Sequence, residues 1–340
     1  MAWLEGWQYR KSHEIVGSTA GAVTDYQIRI KVHYGSGTDS GEDVYLNGKC
    51  RTDFGDIRFT SDDGVTELPY WMEEKVDGDY AIFWVKVPSI PANPNTATIY
   101  IYYGNPDATT TSNGDNTFLF FDDFEGSDLD TSKWSTEWLY GASYSVADSI
   151  ITITSSGTRP YIHTLKTFTA PFVIEAKVQK INNDIEFGWF VTPPFRGTGS
   201  NPPTTGYMLL DAIWLSPESV LIDKAENKSW IHLATTPLSV PTGWHRMRVF
   251  QKTDGITGDI DGTSASTTDT SYQSGNICLT NRETNGAQQS FDWIFVRKYV
   301  DPEPSHGAWG SEEVCVSLTD TCKGGDWVSL DRYLKLTDCT

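Results

Sequence analysis

A chain of 340 residues is long enough for two ordinary domains, because single cores stop growing near ~250–300 residues. Aromatics make up 13% of it, with 13 Trp, and no Ala- or Leu-rich helical run occurs, which points to all-β structure. A formal charge of −19, with no run among the 26 basic residues, excludes a nucleic-acid partner, and no apolar stretch approaches the ~20 residues of a membrane helix.

Met1 runs straight into Ala-Trp-Leu-Glu-Gly-Trp, without a charged segment followed by an apolar one. Either a signal was removed or the protein reaches an exterior destination without one, as a virion protein would. The first hundred residues alternate as strands do: Tyr26-Gln-Ile-Arg-Ile-Lys-Val, Asp56-Ile-Arg-Phe-Thr, Tyr80-Ala-Ile-Phe-Trp-Val-Lys-Val and Ala97-Thr-Ile-Tyr-Ile-Tyr-Tyr. Turn clusters at 61–64 and 76–79 separate them, predicting a meander or Greek-key sandwich.

Several ordered motifs in this region are Trp7-Gln-Tyr-Arg-Lys, Phe54-Gly-Asp-Ile-Arg-Phe-Thr, Leu68-Pro-Tyr-Trp and Ile99-Tyr-Ile-Tyr-Tyr-Gly-Asn-Pro. With them, residues 1–106 resemble an uncharacterised β-sandwich domain of unknown function, found in many archaeal and bacterial surface proteins and some phage proteins. That resemblance carries no catalytic residues. Residues 107–117 lack apolar periodicity and read as a linker, or as a long loop hugging the sandwich.

The next stretch opens on Phe118-Leu-Phe-Phe-Asp-Asp-Phe-Glu-Gly and closes on Phe291-Asp-Trp-Ile-Phe-Val-Arg-Lys-Tyr, with strands predicted near 172–178, 185–191, 207–214, 220–224 and 244–250. Residues 118–310 resemble the concanavalin A-like jelly roll of lectins and laminin-type modules, whose first and last strands pair. The expected fold class is therefore all-β: two β-sandwich domains with a short repeat-like C-terminal extension over 311–340. In that extension Val316-Ser-Leu-Thr-Asp, Val328-Ser-Leu-Asp and Leu334-Lys-Leu-Thr-Asp suit added strands or an attachment stalk.

In glycoside hydrolases of family sixteen, which share the jelly roll, the catalytic strand reads Glu-x-Asp-x-Glu. This chain resembles it at Asn182, Asp184 and Glu186. A retaining mechanism needs two carboxylates about 5–5.5 Å apart, and Asn182 cannot form the glycosyl ester. The plain alternative is a strand with Ile185, Phe187 and Trp189 buried while Asp184, Glu186 and Gly188 look outward.

Rings can stack on a sugar's apolar face while neighbouring carboxylates bond its hydroxyls. The expected glycan-binding residues are Trp189, Tyr207, Trp214 and Trp230 with Asp184 and Glu186, set against the tendency of Trp in a sandwich to be core. The jelly-roll resemblance also implies a structural Ca²⁺ where the opening acidic turn meets the final strand, with Asp122, Asp123, Glu125 and Asp292 as oxygen ligands. The fragments Asp259-Ile-Asp-Gly and Ser61-Asp-Asp-Gly read as β-turns.

The six His show no zinc spacing, and no nucleophile elbow, phosphate loop or dinucleotide fingerprint occurs, so no organic cofactor is expected. Of five Cys, the spacing of Cys315, Cys322 and Cys339 suits a disulfide within the extension, pairing Cys339 with Cys322 or Cys315, and Cys278 reads as a buried strand thiol. Asn227-Lys-Ser is a single glycosylation sequon.

The sequence thus predicts a non-enzymatic exterior protein, extracellular, on a cell surface or on a virion. It would serve adhesion or structure, with glycan recognition by the jelly roll. Two alternatives stay open: a divergent glycan-active enzyme using Asp184 and Glu186, and a self-assembling filament or sheath subunit. In the last, a homo-oligomer would form by adding the N-terminal strand or the tail to a neighbour's sheet edge.

Overall fold

The computed structural model describes residues 2–192, 203–227 and 229–315. The described residues divide into two units, 2–118 with 300–315, and Leu119–Tyr299.

The first unit sets two sheets face to face. One contains Tyr9–Val16, Thr96–Tyr103 and Arg58–Thr60; the other contains Asp43–Tyr45, Val23–His33, Tyr80–Ile90 and Tyr70–Val76. Alternation explains the packing: in Val23–His33 the side chains of Ile28, Ile30 and Val32 turn inward, where they meet Phe59, Phe83, Val85, Ile99 and Ile101 in a single core. Residues 105–113 hug this sandwich, since the Tyr70 hydroxyl accepts from the Thr111 backbone N–H (3.0 Å) and Ser112 Oγ accepts from the Met72 N–H (2.8 Å).

Strands from the far end of the chain complete the unit. Tyr9–Val16 is flanked on one side by Thr96–Tyr103 and on the other by Ser305–Trp309 and Glu313–Val314, all antiparallel. Residues 300–310 therefore lie with the first unit, whereas the sequence placed them with the second, and the second unit is an insertion in the first. The alternation of 305–314 marks strands but does not name their partner.

Arg10 draws the ends together. Its guanidinium is buried between the rings of Trp3 and Tyr100, 4.3 Å from each, and donates to Ala2 O (2.9 Å), Tyr102 Oη (2.7 Å) and Glu313 Oε2 (2.7 Å). The N-terminal strand is thus paired on both sides within its own chain, which corrects the expectation that it is free to extend a neighbour's sheet.

In the second unit, one sheet runs in the order Ser143–Ala147, Ile150–Thr154, Gln288–Lys298, Phe172–Lys180, Gly243–Gln251, Ile256–Ile260, Thr263–Thr267. The opening strand Phe120–Asp122 pairs with Gln288–Lys298, as the jelly-roll resemblance implies. The other sheet runs Ser229–Pro237, Ser219–Glu226, Thr205–Ala212, Glu186–Val191, Ser274–Thr280, Tyr161–Thr164, Trp134–Trp138. Between the sheets lies one apolar core, including Ile174, Val249 and Ile294 from the first and Phe187, Leu209 and Ile277 from the second. Among the described residues no helix is long and apolar enough to cross a membrane.

Candidate functional site

The site lies on the outer face of the sheet that contains Glu186–Val191. Period-two alternation sends Phe187 and Trp189 into the core and leaves Glu186 and Gly188 on the opposite face, beside Met208, Leu210 and Cys278. Antiparallel register then carries a transverse row across six strands: His163 faces Cys278, Cys278 faces Gly188, Gly188 faces Met208, Met208 faces Asp223, and Asp223 faces His232. Gly188 is required in that row, because a Cβ there would lie 2.8 Å from Cys278 Sγ.

Both carboxylates expected to face outward do so, yet neither reaches solvent. Asp184 and Glu186 are fully buried, each capped by a guanidinium: Arg282 donates to Asp184 Oδ2 (3.0 Å) and Arg159 to Glu186 Oε1 (2.5 Å). Arg159 also donates through Nη2 to Glu283 Oε2 (2.8 Å). Burial pushes Glu186 up to about 7 against the pull of Arg159, and raises Asp184 against Arg282. Burial likewise opposes the charge on Arg159, but Glu186, Tyr161 and Glu283 outweigh it and keep the guanidinium ionised. On the carboxyl side desolvation wins, because Glu186 Oε2 and Asp184 Oδ1 have no hydrogen-bond partner among the described residues. Asn182 does not join them: its amide bonds Gly286 O (3.0 Å) and the Gln288 N–H (2.8 Å), tying down a loop.

Over this polar layer opens a pocket of about 190 Å³, floored by Met208 and Leu210 and walled by Trp214, Trp230, Asp223 and Arg282. Trp214 is 41% exposed, with the Arg282 guanidinium 3.8 Å from its ring centre; Arg159 stands 5.5 Å from Trp230. His232 Nδ1 lies 2.5 Å from Asp223 Oδ1, and burial raises the Asp223 carboxyl against the pull of His232.

The structure thus brings Trp214, Trp230, Asp184 and Glu186 to one face, and corrects the placement of the other two rings. Trp189 is fully buried between the sheets, its indole N–H bonded to Gln251 Oε1 (2.8 Å), and Tyr207 is buried beside it with its hydroxyl bonded to Asp269 (2.5 Å). Strand parity puts them inside. Arg159, Arg282, Glu283, Asp223 and His232 escaped sequence reasoning. Only Asp223 carried a signal, a lone carboxylate in the apolar strand Ser219-Val-Leu-Ile-Asp; the arginines sit in loops whose approach to the sheet no local pattern encodes.

The structure gives partners to two of the four expected calcium ligands. Asp122 accepts from Trp134 Nε1 (2.6 Å) and the Phe124 N–H (2.8 Å), and Asp292 pairs with Lys177 (2.6 Å). Among the described residues, no three or more His, Cys, Asp or Glu, with Asp123 and Glu125 included, converge as a metal would need. Cys50 and Cys278 are free buried thiols, and Cys315 is disulfide-bonded. Cys322 and Cys339, like the repeats from Val316 onward, lie outside the described residues.

A family described as a domain of unknown function (DUF2341) matches residues 53–137. No curated protein matches the chain. Similar solved structures include a carbohydrate-binding module, CBM66, from Bacillus subtilis, with 14% identity over 50% of this chain and 98% of that one and a TM-score of 0.39. An endo-β-1,3-glucanase from Pyrococcus furiosus shows 15% identity over 54% of this chain and 95% of its own, at a TM-score of 0.40. LamAcat from Zobellia galactanivorans shows 12% over 55% and 100%, at 0.39. Likenesses this distant do not say what this chain binds.

Proposed function

We propose that the protein is a non-enzymatic module displayed outside a cell or on a virion, and that its second unit recognises glycans through the Trp214–Trp230 pocket. One observation carries this reading. The strand whose spacing resembles a catalytic one presents capped carboxylates in place of free ones, directly beside a pocket that joins indole walls to hydrogen-bonding side chains. The exterior setting rests on the resemblance of the first domain to those of surface proteins, and a disulfide at Cys315 suits an oxidising compartment.

A glycan array probed with the full chain tests the reading. Binding should fall at least ten-fold in Trp214→Ala and Trp230→Ala with the urea midpoint unchanged, and an array with no ligand would remove the proposal. One observation favours a glycan-cleaving alternative: a carboxyl held near pH 7, as Glu186 is, has the poise of a general acid. Release of reducing ends from polysaccharide, abolished in Glu186→Gln, would establish that alternative. The Arg159 cap predicts none.

A further inference from the structure

The shape and charge of this pocket say more about its ligand than that it is a glycan, an inference that rests on the reading above. The pocket is small, about 190 Å³, and opens to solvent. On its inner side the pocket ends at Arg159. That guanidinium is 6% exposed and is held from two directions, by Glu186 Oε1 and by Glu283 Oε2, so it stands as a fixed wall between the pocket and Glu186. A polysaccharide lying along the sheet across Glu186, as cleavage there would need, meets that wall. A chain end entering from solvent does not.

The polar lining is mixed in charge: Asp223 and Glu283 stand with Arg159, Arg282 and His232, so the pocket offers both acceptors and donors. Asp223 commits Oδ1 to His232, and its Oδ2 has no hydrogen bond among the described residues; Arg282 commits one Nη1–H to Asp184. An acceptor and a donor fork at one mouth match a vicinal diol, in which one hydroxyl donates to the carboxylate and its neighbour accepts from the guanidinium. One face of Trp214 is covered by Arg282, and the ring's 41% exposure leaves the other for the sugar's C–H face.

The geometry points to a pocket that takes the terminal sugar of a glycan, seated by a vicinal diol between Asp223 and Arg282, and that passes over internal segments. The test is an array of oligosaccharides sharing one core and differing in whether the terminal unit offers a vicinal diol, with cyclic glucans as ligands that have no end. Glycans ending in a free vicinal diol should bind, and those whose terminal diol is blocked should not. Mild periodate, which cleaves vicinal diols, should abolish binding, and Asp223→Asn and Arg282→Gln should each weaken it at least ten-fold, with urea unfolding reporting that both variants are folded. Equal binding of cyclic glucans, or survival of binding after periodate, would each overturn this inference while leaving glycan recognition standing. Failure to bind any glycan would instead remove the reading beneath it.

Discussion

Replacing Glu186 with Gln separates two opposed effects on one buried carboxyl. Burial lifts its pKa from an ordinary 4.5 to about 7, although Arg159 pulls it down. At ~1.36 kcal/mol per pH unit, the rise of 7 − 4.5 corresponds to about 3 kcal/mol, the order of magnitude by which ionised Glu186 weakens the fold. A carboxyl whose folded pKa exceeds its unfolded value leaves the folded state holding more protons. Its stabilising contribution is therefore full below about 4.5 and is lost as pH rises through about 7. Gln still offers a carbonyl to Arg159 but cannot ionise. Wild type and Glu186→Gln should match within about 1 kcal/mol at pH 5, and the variant should be the more stable by up to about 3 kcal/mol at pH 8.5. Urea unfolding of both proteins at pH 5, 6, 7 and 8.5 and constant salt measures the difference. A wild type that is more stable than the variant at pH 8.5 would show that the Arg159 ion pair outweighs desolvation and refute the reasoning; so would a difference that ignores pH.

The remaining predictions concern both units. His13 is buried, 2.9 Å from His306 and stacked on Trp309 at 3.8 Å; burial, then His306, holds it down to about 3. Its folded pKa lies below the unfolded 6.5, so its contribution is full above 6.5 and is lost as pH falls toward 3. The first unit's thermal midpoint should drop between pH 6.5 and 4, and by less in His13→Gln, as thermal unfolding at both pH values would report. Trp189→Ala should cost about 3–5 kcal/mol in urea unfolding through a core cavity, because its ring is interior and reaches no ligand. Asp122 and Asp292 each bond a protein partner, and thermal unfolding in millimolar calcium or EDTA tests the calcium site expected from sequence: a shift of several degrees would establish it, and an unchanged midpoint would remove it. Tension applied between residues 2 and 315 should open the first unit before the inserted second one, whose residues 119–299 then release about 60 nm at ~3.4 Å each; optical-tweezer traces with the longer release first would contradict the strand order.

Much of this protein is local and therefore legible in its residues. Alternating strands such as Val23–His33 and Tyr80–Ile90 mark their own buried faces, and the same parity places Glu186 and Gly188 opposite Phe187 and Trp189. Asn182 is visible in the sequence as an amide at the position where the catalytic strand it resembles has its first carboxylate. Three things needed the tertiary structure. Ser305–Trp309 returns to Tyr9–Val16 across nearly the whole chain, a pairing set by which sheet edge is open. Trp189 and Trp214 have the same composition signal, and only the sheet that each faces makes one core and the other wall. Arg159 and Arg282 come from loops that carry no periodicity, yet they decide that Asp184 and Glu186 are sealed, because long flexible side chains meet buried charge wherever the fold brings them within reach.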